Sequence, residues 1–177
     1  MKKLALVALL LLSMFAFAED HNVTNFKGGD IELKAYDHGV AGSVKDFIIF
    51  ANLDEETGIS SLIAKKNGKI INAEIKKQSD GTFGTSFGYI TTEGEQKNIA
   101  VTFKELNKEE NKYVFMMNGK EITIFVKAED FKDGHYINPQ YDFQIGDTKL
   151  SVKMEKGDAC YNFSAHLIAI ILTSYSL

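Results

Sequence analysis

Three side chains in the last third of the sequence could do chemistry together. His135 stands in HYINPQY, and Cys160 and His166 stand in the segment ACYNFSAHLIAIILTSYSL. Imidazole nitrogen and thiolate sulfur bind Cu(I) and Zn(II), so a fold that joins the three would form a metal site. Six helical residues turn through about 600°, so Cys160 and His166 face different ways, and a common site requires a frayed first turn. The alternative is that both histidines are hydrogen-bonded core or rim residues.

Cys160 is also a candidate nucleophile. A cysteine in the first turn of a helix gains thiolate character, His135 could take its proton, and an acid such as Asp133 could orient the imidazole. Cys160 is the only cysteine, so no disulfide forms within the chain, and a buried, inert thiol is the competing interpretation. The sequence contains no HExxH or CxxC spacing, no G-x-S-x-G elbow and no phosphate-binding fingerprint.

Four aromatic residues suggest a different kind of site. Phe83, Phe87 and Tyr89 share one side of a strand-like segment broken by glycines, and Tyr136 follows His135 in the Pro139 loop. Glycine in a strand often permits close approach by a ligand. We interpret the four aromatics as candidate contacts for a small apolar ligand, with ordinary core packing as the alternative.

The element that organises the chain is a hairpin in KYVFMMNGKEITIFVK, residues 112–127. Asn118-Gly119 supplies the two positive-φ positions of a two-residue type I′ turn, and β-branched and aromatic residues flank it. The expected cross-strand pairs are Met117 with Lys120, Phe115 with Ile122, and Tyr113 with Ile124.

Turn signals recur at strand-like intervals through the rest of the chain, and they predict a mainly β fold, an antiparallel sandwich or barrel. Ile31–Tyr36 alternates apolar and polar residues, and the run Phe47–Phe50 reads as a buried strand. Ile59–Lys66 suits either a short helix or the first strand of a hairpin that turns at Asn67-Gly68, and we favour the hairpin.

The chain changes character after Asp158, a favoured N-cap. Residues 159–175 contain no helix breaker and are apolar nearly all the way round, which predicts one buried C-terminal helix packed on a face or an open end of the sheet. A membrane or partner-docking segment is the alternative, although the apolar stretch is too short to span a bilayer.

Met1–Ala18 has the three parts of a bacterial secretory signal. Lys2 and Lys3 precede an apolar run, and Ala16-Phe17-Ala18 is a small-x-small cleavage site. A retained membrane anchor is the alternative, but the apolar run is short for a span. We expect cleavage to leave 177 − 18 = 159 residues, with 19–30 as a flexible segment and 31–177 as a single β-rich domain.

Charge limits the choice of partner. The chain has twenty lysines, no arginine and a net charge of −4, which becomes −6 without Lys2 and Lys3. An acidic chain without arginine, the usual bidentate reader of phosphate and guanine, argues against nucleic acid.

These observations predict an exported, soluble, non-enzymatic binding protein of the bacterial cell envelope, periplasmic or secreted. Its expected partner is a small apolar molecule or another envelope protein, and no stable transmembrane span should remain after cleavage. A copper- or zinc-handling protein and a thiol-dependent enzyme are the two alternatives. The sequence identifies no cofactor.

Overall fold

A computed structural model describes residues 23–36, 39–54, 59–66, 69–77, 83–90 and 96–175. These residues form fifteen strands and one helix. Strands β1 to β15 are, in order, Thr24–Gly28, Ile31–Tyr36, Gly39–Val44, Phe47–Asp54, Ile59–Lys66, Lys69–Lys77, Phe83–Ile90, Gln96–Asn107, Lys112–Met117, Lys120–Lys127, Asp130–Lys132, His135–Ile137, Gln140–Ile145, Thr148–Met154 and Asp158–Cys160, and helix α1 is Tyr161–Tyr175.

Twelve of the strands form one antiparallel sheet. Strands β1 to β10 pair in chain order, β10 then pairs with β13, and β13 pairs with β14. Strand β14 pairs with β1, so the order of hydrogen-bonded neighbours closes on itself as a barrel. This closing seam consists of two residue pairs, Phe26 with Met154 and Lys27 with Lys153. The predicted mainly antiparallel β fold is confirmed.

The predicted central hairpin is strands β9 and β10. All three expected cross-strand pairs occur, and Asn118 and Gly119 have φ angles of 50° and 78°. Both central residues therefore have the positive φ that a type I′ turn requires. The hairpin interpretation of Ile59–Lys66 is also confirmed, because this segment is β5 and pairs with β6. Its Asn67-Gly68 turn lies outside the described residues.

Helix α1 is the only helix in the part of the chain that the structure describes. Its eleven residues from Ser164 to Ser174 are all buried, with exposed fractions of 0 to 6%. Eleven consecutive residues make about three turns, so no face of the helix reaches solvent between Ser164 and Ser174. The inward side chains of the sheet and those of α1 form one hydrophobic core, which confirms the predicted buried helix.

Residues 24–28 correct the prediction of a flexible segment over 19–30. They form β1, which pairs with β2 over five residue pairs, and the Phe26 side chain is fully buried. Pairing on both sides orders this polar stretch, although its composition resembles a loop. Residues 19–22 lie outside the described part.

The run Phe47–Phe50 is only half buried, contrary to the prediction of a buried strand. Phe47 and Ile49 point into the core, whereas Ile48 and Phe50 are 69% and 43% exposed on the outer surface. Successive side chains of a strand point to opposite faces of the sheet. In a closed sheet one face is the interior and the other faces outward, so four consecutive apolar residues cannot all be buried.

Strands β11, β12 and β15 form a second, three-stranded sheet in the order β11-β12-β15. Helix α1 consequently begins at Tyr161, two residues later than predicted, because Ala159 and Cys160 pair with β12. Ala159 lies opposite Tyr136, and both side chains are buried.

Candidate functional site

His135 and Cys160 lie directly opposite each other in the antiparallel pair of β12 and β15. Asn138 N–H donates to the Gly157 carbonyl at 2.8 Å at the end of the same ladder. Hydrogen-bonded and non-hydrogen-bonded pairs alternate along such a ladder, so His135 and Cys160 form a non-hydrogen-bonded pair. Side chains approach each other most closely at these pairs, with Cα atoms about 4.5 Å apart.

A tight turn places His135 at the start of β12. Asp133 and Gly134 have φ angles of 52° and 82°, so Asp133-Gly134 is a second two-residue turn with positive φ at both positions. Asp133, predicted as the acid that orients His135, is therefore a turn residue.

The acid that contacts His135 is Asp158. Its Oδ2 forms a hydrogen bond with His135 Nδ1. An ionised carboxylate only accepts hydrogen bonds, so Nδ1 is the donor to an ionised Asp158, and this contact leaves Nε2 as the ring nitrogen available to another group. Asp158 and Cys160 are two residues apart in β15, a spacing that puts their side chains on one face of the strand.

This face of the small sheet is the solvent-facing one. Tyr136 and Ala159 are buried on the opposite face, whereas Asp158 is exposed and His135 and Cys160 are partly exposed. A reactant in solution can therefore reach the cysteine and histidine without a change of fold.

Cys160 also occupies the N-cap position of α1. Phe163 N–H, at the third helical position, donates to Cys160 Sγ at 3.4 Å. Serine, threonine, aspartate and asparagine usually make this contact through oxygen. The sulfur thus contacts the first turn of the helix, and the residue that carries it is opposite His135 in the strand pair.

Three buried tyrosines hold the base of the site. Tyr113 donates to the Tyr161 carbonyl at 3.2 Å, and the hydroxyls of Tyr141 and Ser164 are 2.9 Å apart. Burial raises the pKa of Tyr136 to about 12, and it also raises the pKa values of Tyr113 and Tyr141. All three phenols are consequently protonated at neutral pH and act as fixed supports.

One of these tyrosines, Tyr136, also belongs to a cluster of aromatic rings. The rings of Phe131, Tyr136 and Tyr161 form a mutual cluster with centroid separations of 5.3 to 5.4 Å. The Lys108 ammonium lies 4.9 Å from the Tyr161 ring centroid. Tyr136, predicted as a ligand contact, is 1% exposed and belongs to this packing.

The structure does not bring every predicted site residue to this place. His166 is buried in α1, where its Nδ1 lies 3.0 Å from the Asn162 carbonyl. Within the described ranges, no group of three or more histidine, cysteine or acidic side chains could hold a metal ion. Phe83, Phe87 and Tyr89 lie in β7, but their side chains fall outside the described part of the chain.

Sequence reasoning missed Asp158 as the partner of His135. It assigned Asp158 to a helix N-cap, which hid the i, i+2 spacing to Cys160. Treating residues 158–160 as a strand would have put Asp158 and Cys160 on one face, and the pairing with β12 puts His135 on that same face.

Comparison with protein families, with characterised proteins and with solved structures finds no match to this chain. Among the described residues, no helix is long and apolar enough to cross a membrane.

Proposed function

We propose that this protein is an exported, non-enzymatic binding protein that engages its partner through Cys160 by thiol–disulfide exchange. The observation that carries the proposal is the facing pair of His135 and Cys160, with Asp158 bound to Nδ1 of the imidazole. A nucleophile, a base and an orienting acid in this order make up the activated-nucleophile arrangement. The partner is a molecule with an accessible disulfide, a bond that persists in oxidising compartments.

The proposed step is balanced without an external oxidant. His135 Nε2 accepts the Cys160 proton, and the thiolate attacks one sulfur of the partner's disulfide. The partner's S–S bond breaks as a mixed disulfide forms with Cys160. The released sulfur leaves as a thiolate and takes the proton from His135. The Phe163 N–H, which already donates to Sγ, supports the charge on sulfur during the attack.

The interior of the sheet favours this mode of binding over capture of a small apolar ligand. Leu167, Ile168 and Ile171 of α1 are fully buried against the inward side chains of the strands. The protein's own helix thus occupies the place where a barrel usually encloses an apolar ligand.

Export is part of the proposal and is supported by Met1–Ala18. A cleaved leader would deliver Cys160 to a compartment where disulfides persist. Mass spectrometry of the chain produced in a bacterium should show a mature protein that begins at Glu19. Retention of the leader in the recovered protein would contradict this part alone.

The rate of reaction with dithiodipyridine, an uncharged disulfide, tests the thiol site. At neutral pH, native Cys160 should react faster than the same thiol in denatured protein. His135→Gln should slow the native reaction by on the order of tenfold or more. Asp158→Asn should slow it by less, because the base remains but is no longer oriented.

Lys132→Gln is the matched control, since Lys132 is the other neighbour of His135 in the small sheet. Its rate should stay within about twofold of the native rate, because it removes a neighbour but not the base. Equal rates for native protein and His135→Gln would refute the proposal. Catalytic turnover of disulfide, in place of a stable mixed disulfide, would favour the thiol-enzyme alternative.

A further inference from the structure

Four apolar side chains form one patch on the outer surface of β4, β5 and β6. Their exposed fractions are 43 to 69%, large values for isoleucine and phenylalanine. We call this patch the apolar strip; its residues are Ile48, Phe50, Ile63 and Ile70.

The strand register makes the strip continuous. Phe50 of β4 lies opposite Ile63 of β5. Two residues further along β5, Lys65 lies between Ile48 of β4 and Ile70 of β6. Side chains of directly opposite residues on one face are about 5 Å apart. On the alternating strands β2 and β14, by contrast, the outward positions are polar, namely Glu32, Lys34, Lys149, Ser151 and Lys153.

Positive charge borders the strip at one end of the barrel. The adjoining segments 45–46 and 65–69 hold four lysines and one aspartate, in a chain whose net charge is −4. Asp46 pairs with Lys66 at 2.6 Å, and Asp30, whose carbonyl accepts the Lys45 N–H, adds one further acid. Four lysines and two acids sum to +2, but the Lys45 ammonium donates to the Tyr175 carbonyl at 2.8 Å and Lys66 is paired with Asp46. Lys65 itself is exposed in the middle of the strip.

We propose that the apolar strip is a docking surface for a membrane that carries anionic phospholipid. Exposed isoleucine and phenylalanine enter the boundary of the acyl chains, and the exposed Lys65 pairs with lipid phosphate. Lysine suits this position because its methylene stem covers apolar surface while its ammonium reaches the headgroups.

The same lysine argues against a second copy of this chain as the occupant. In a face-to-face pairing of two strips, Lys65 would be buried between isoleucines and brought close to the same residue of the other copy. Burial of such a charge without an acidic partner is strongly unfavourable. A lipid surface supplies the missing anion.

Flotation with vesicles tests the proposal. The full-length protein should float with vesicles of phosphatidylethanolamine and phosphatidylglycerol, and it should not float with phosphatidylcholine alone. Lys65→Gln should weaken the partition by about fivefold, the effect of one lysine at an anionic surface. Ile70→Ser should weaken it by about tenfold or more, because the inserted apolar area is lost.

Phe125→Ser is the matched control, since Phe125 is an exposed aromatic residue, 47% accessible, on β10. This variant should bind vesicles as the native protein does, and Cys160→Ser should as well, because the strip acts independently of the thiol. Failure of the native protein to float, or an equal loss with Phe125→Ser, would overturn the proposal. So would a native dimer in sedimentation that Ile70→Ser converts to a monomer, because it would identify a second copy as the occupant.

Discussion

Tyr141 and Ser164 connect the sheet to the helix through two buried hydroxyl groups 2.9 Å apart. Tyr113 donates to the Tyr161 carbonyl in the same first turn of α1, so phenols from two strands hold the start of the helix. Cys160 immediately precedes this turn. The orientation of the candidate thiol therefore depends on contacts made inside the barrel.

Tyr141→Phe should lower the free energy of unfolding by about 1 to 3 kcal/mol, because it leaves the Ser164 hydroxyl buried without this partner. Ser164→Ala should have a similar effect for the same reason. The double variant should be destabilised by less than the sum of the single changes, since it removes both polar groups. Urea unfolding measures all three. Strict additivity would show that the two hydroxyls do not interact.

Asp142 should make stability depend on pH. Burial raises the pKa of Asp142, but donors from Lys127, Ser151 and Gln140 outweigh this effect and hold the pKa below its usual value of 3.8. A carboxyl with a depressed folded-state pKa stabilises the fold above the unfolded pKa, and this contribution disappears as pH falls through the folded pKa.

The variant Asp142→Asn should therefore be less stable than the native protein at pH 7 by about 1 kcal/mol. The difference should begin to shrink below about pH 4, where the unfolded chain takes up the proton, and should disappear at lower pH once the native carboxyl is also protonated. Urea unfolding of both proteins across this range measures the effect. A stability difference that stays constant with pH would show that ionisation of Asp142 does not stabilise the fold.

Gly28→Ala should open the seam between β1 and β14. A Cβ atom at residue 28 would lie 1.7 Å from the Ser151 carbonyl oxygen, so the two strands must separate. We expect loss of about 1 to 3 kcal/mol of stability and faster amide exchange in β1. Lys27→Ala, at the same seam but exposed, should cost clearly less stability than Gly28→Ala. Equal effects of the two variants would mean that the seam tolerates the extra carbon.

Truncation of the helix core should be costly. Ile168 is fully buried in α1, and Ile168→Ala should lower the free energy of unfolding by about 2 to 5 kcal/mol. Ile48→Ala, which shortens an exposed side chain, should change it by less than about 0.5 kcal/mol. Thermal or urea unfolding compares the two. A small effect at Ile168 would mean that the helix is not integral to the core.

The parts of the fold that depend on short stretches of sequence were predicted correctly. Asn118-Gly119 specifies its turn through its own backbone preferences, so the register from Tyr113 to Ile124 follows from the turn alone. The helix was predictable because its residues are apolar on all sides, a pattern that only a buried helix tolerates.

The parts of the fold that the sequence analysis missed depend on pairing between strands that are far apart in the sequence. Strand β15 has three residues, and it exists because β12, more than twenty residues earlier, pairs with it. Strand β1 is ordered by partners on both sides rather than by its own composition. The sequence analysis considered His135 and Cys160 together, but Asp158 became visible only once that pairing was known.

The central position of α1 constrains how the chain can become compact. Every described strand precedes the helix in the sequence, yet the inward side chains of those strands pack against it. Strands emerging from a ribosome would therefore have an uncovered apolar lining until the helix followed them, and such partly formed sheets aggregate readily. Completion of the core must accordingly wait until α1 has been translated, and a chaperone that keeps the nascent strands apart would raise the yield of folded protein.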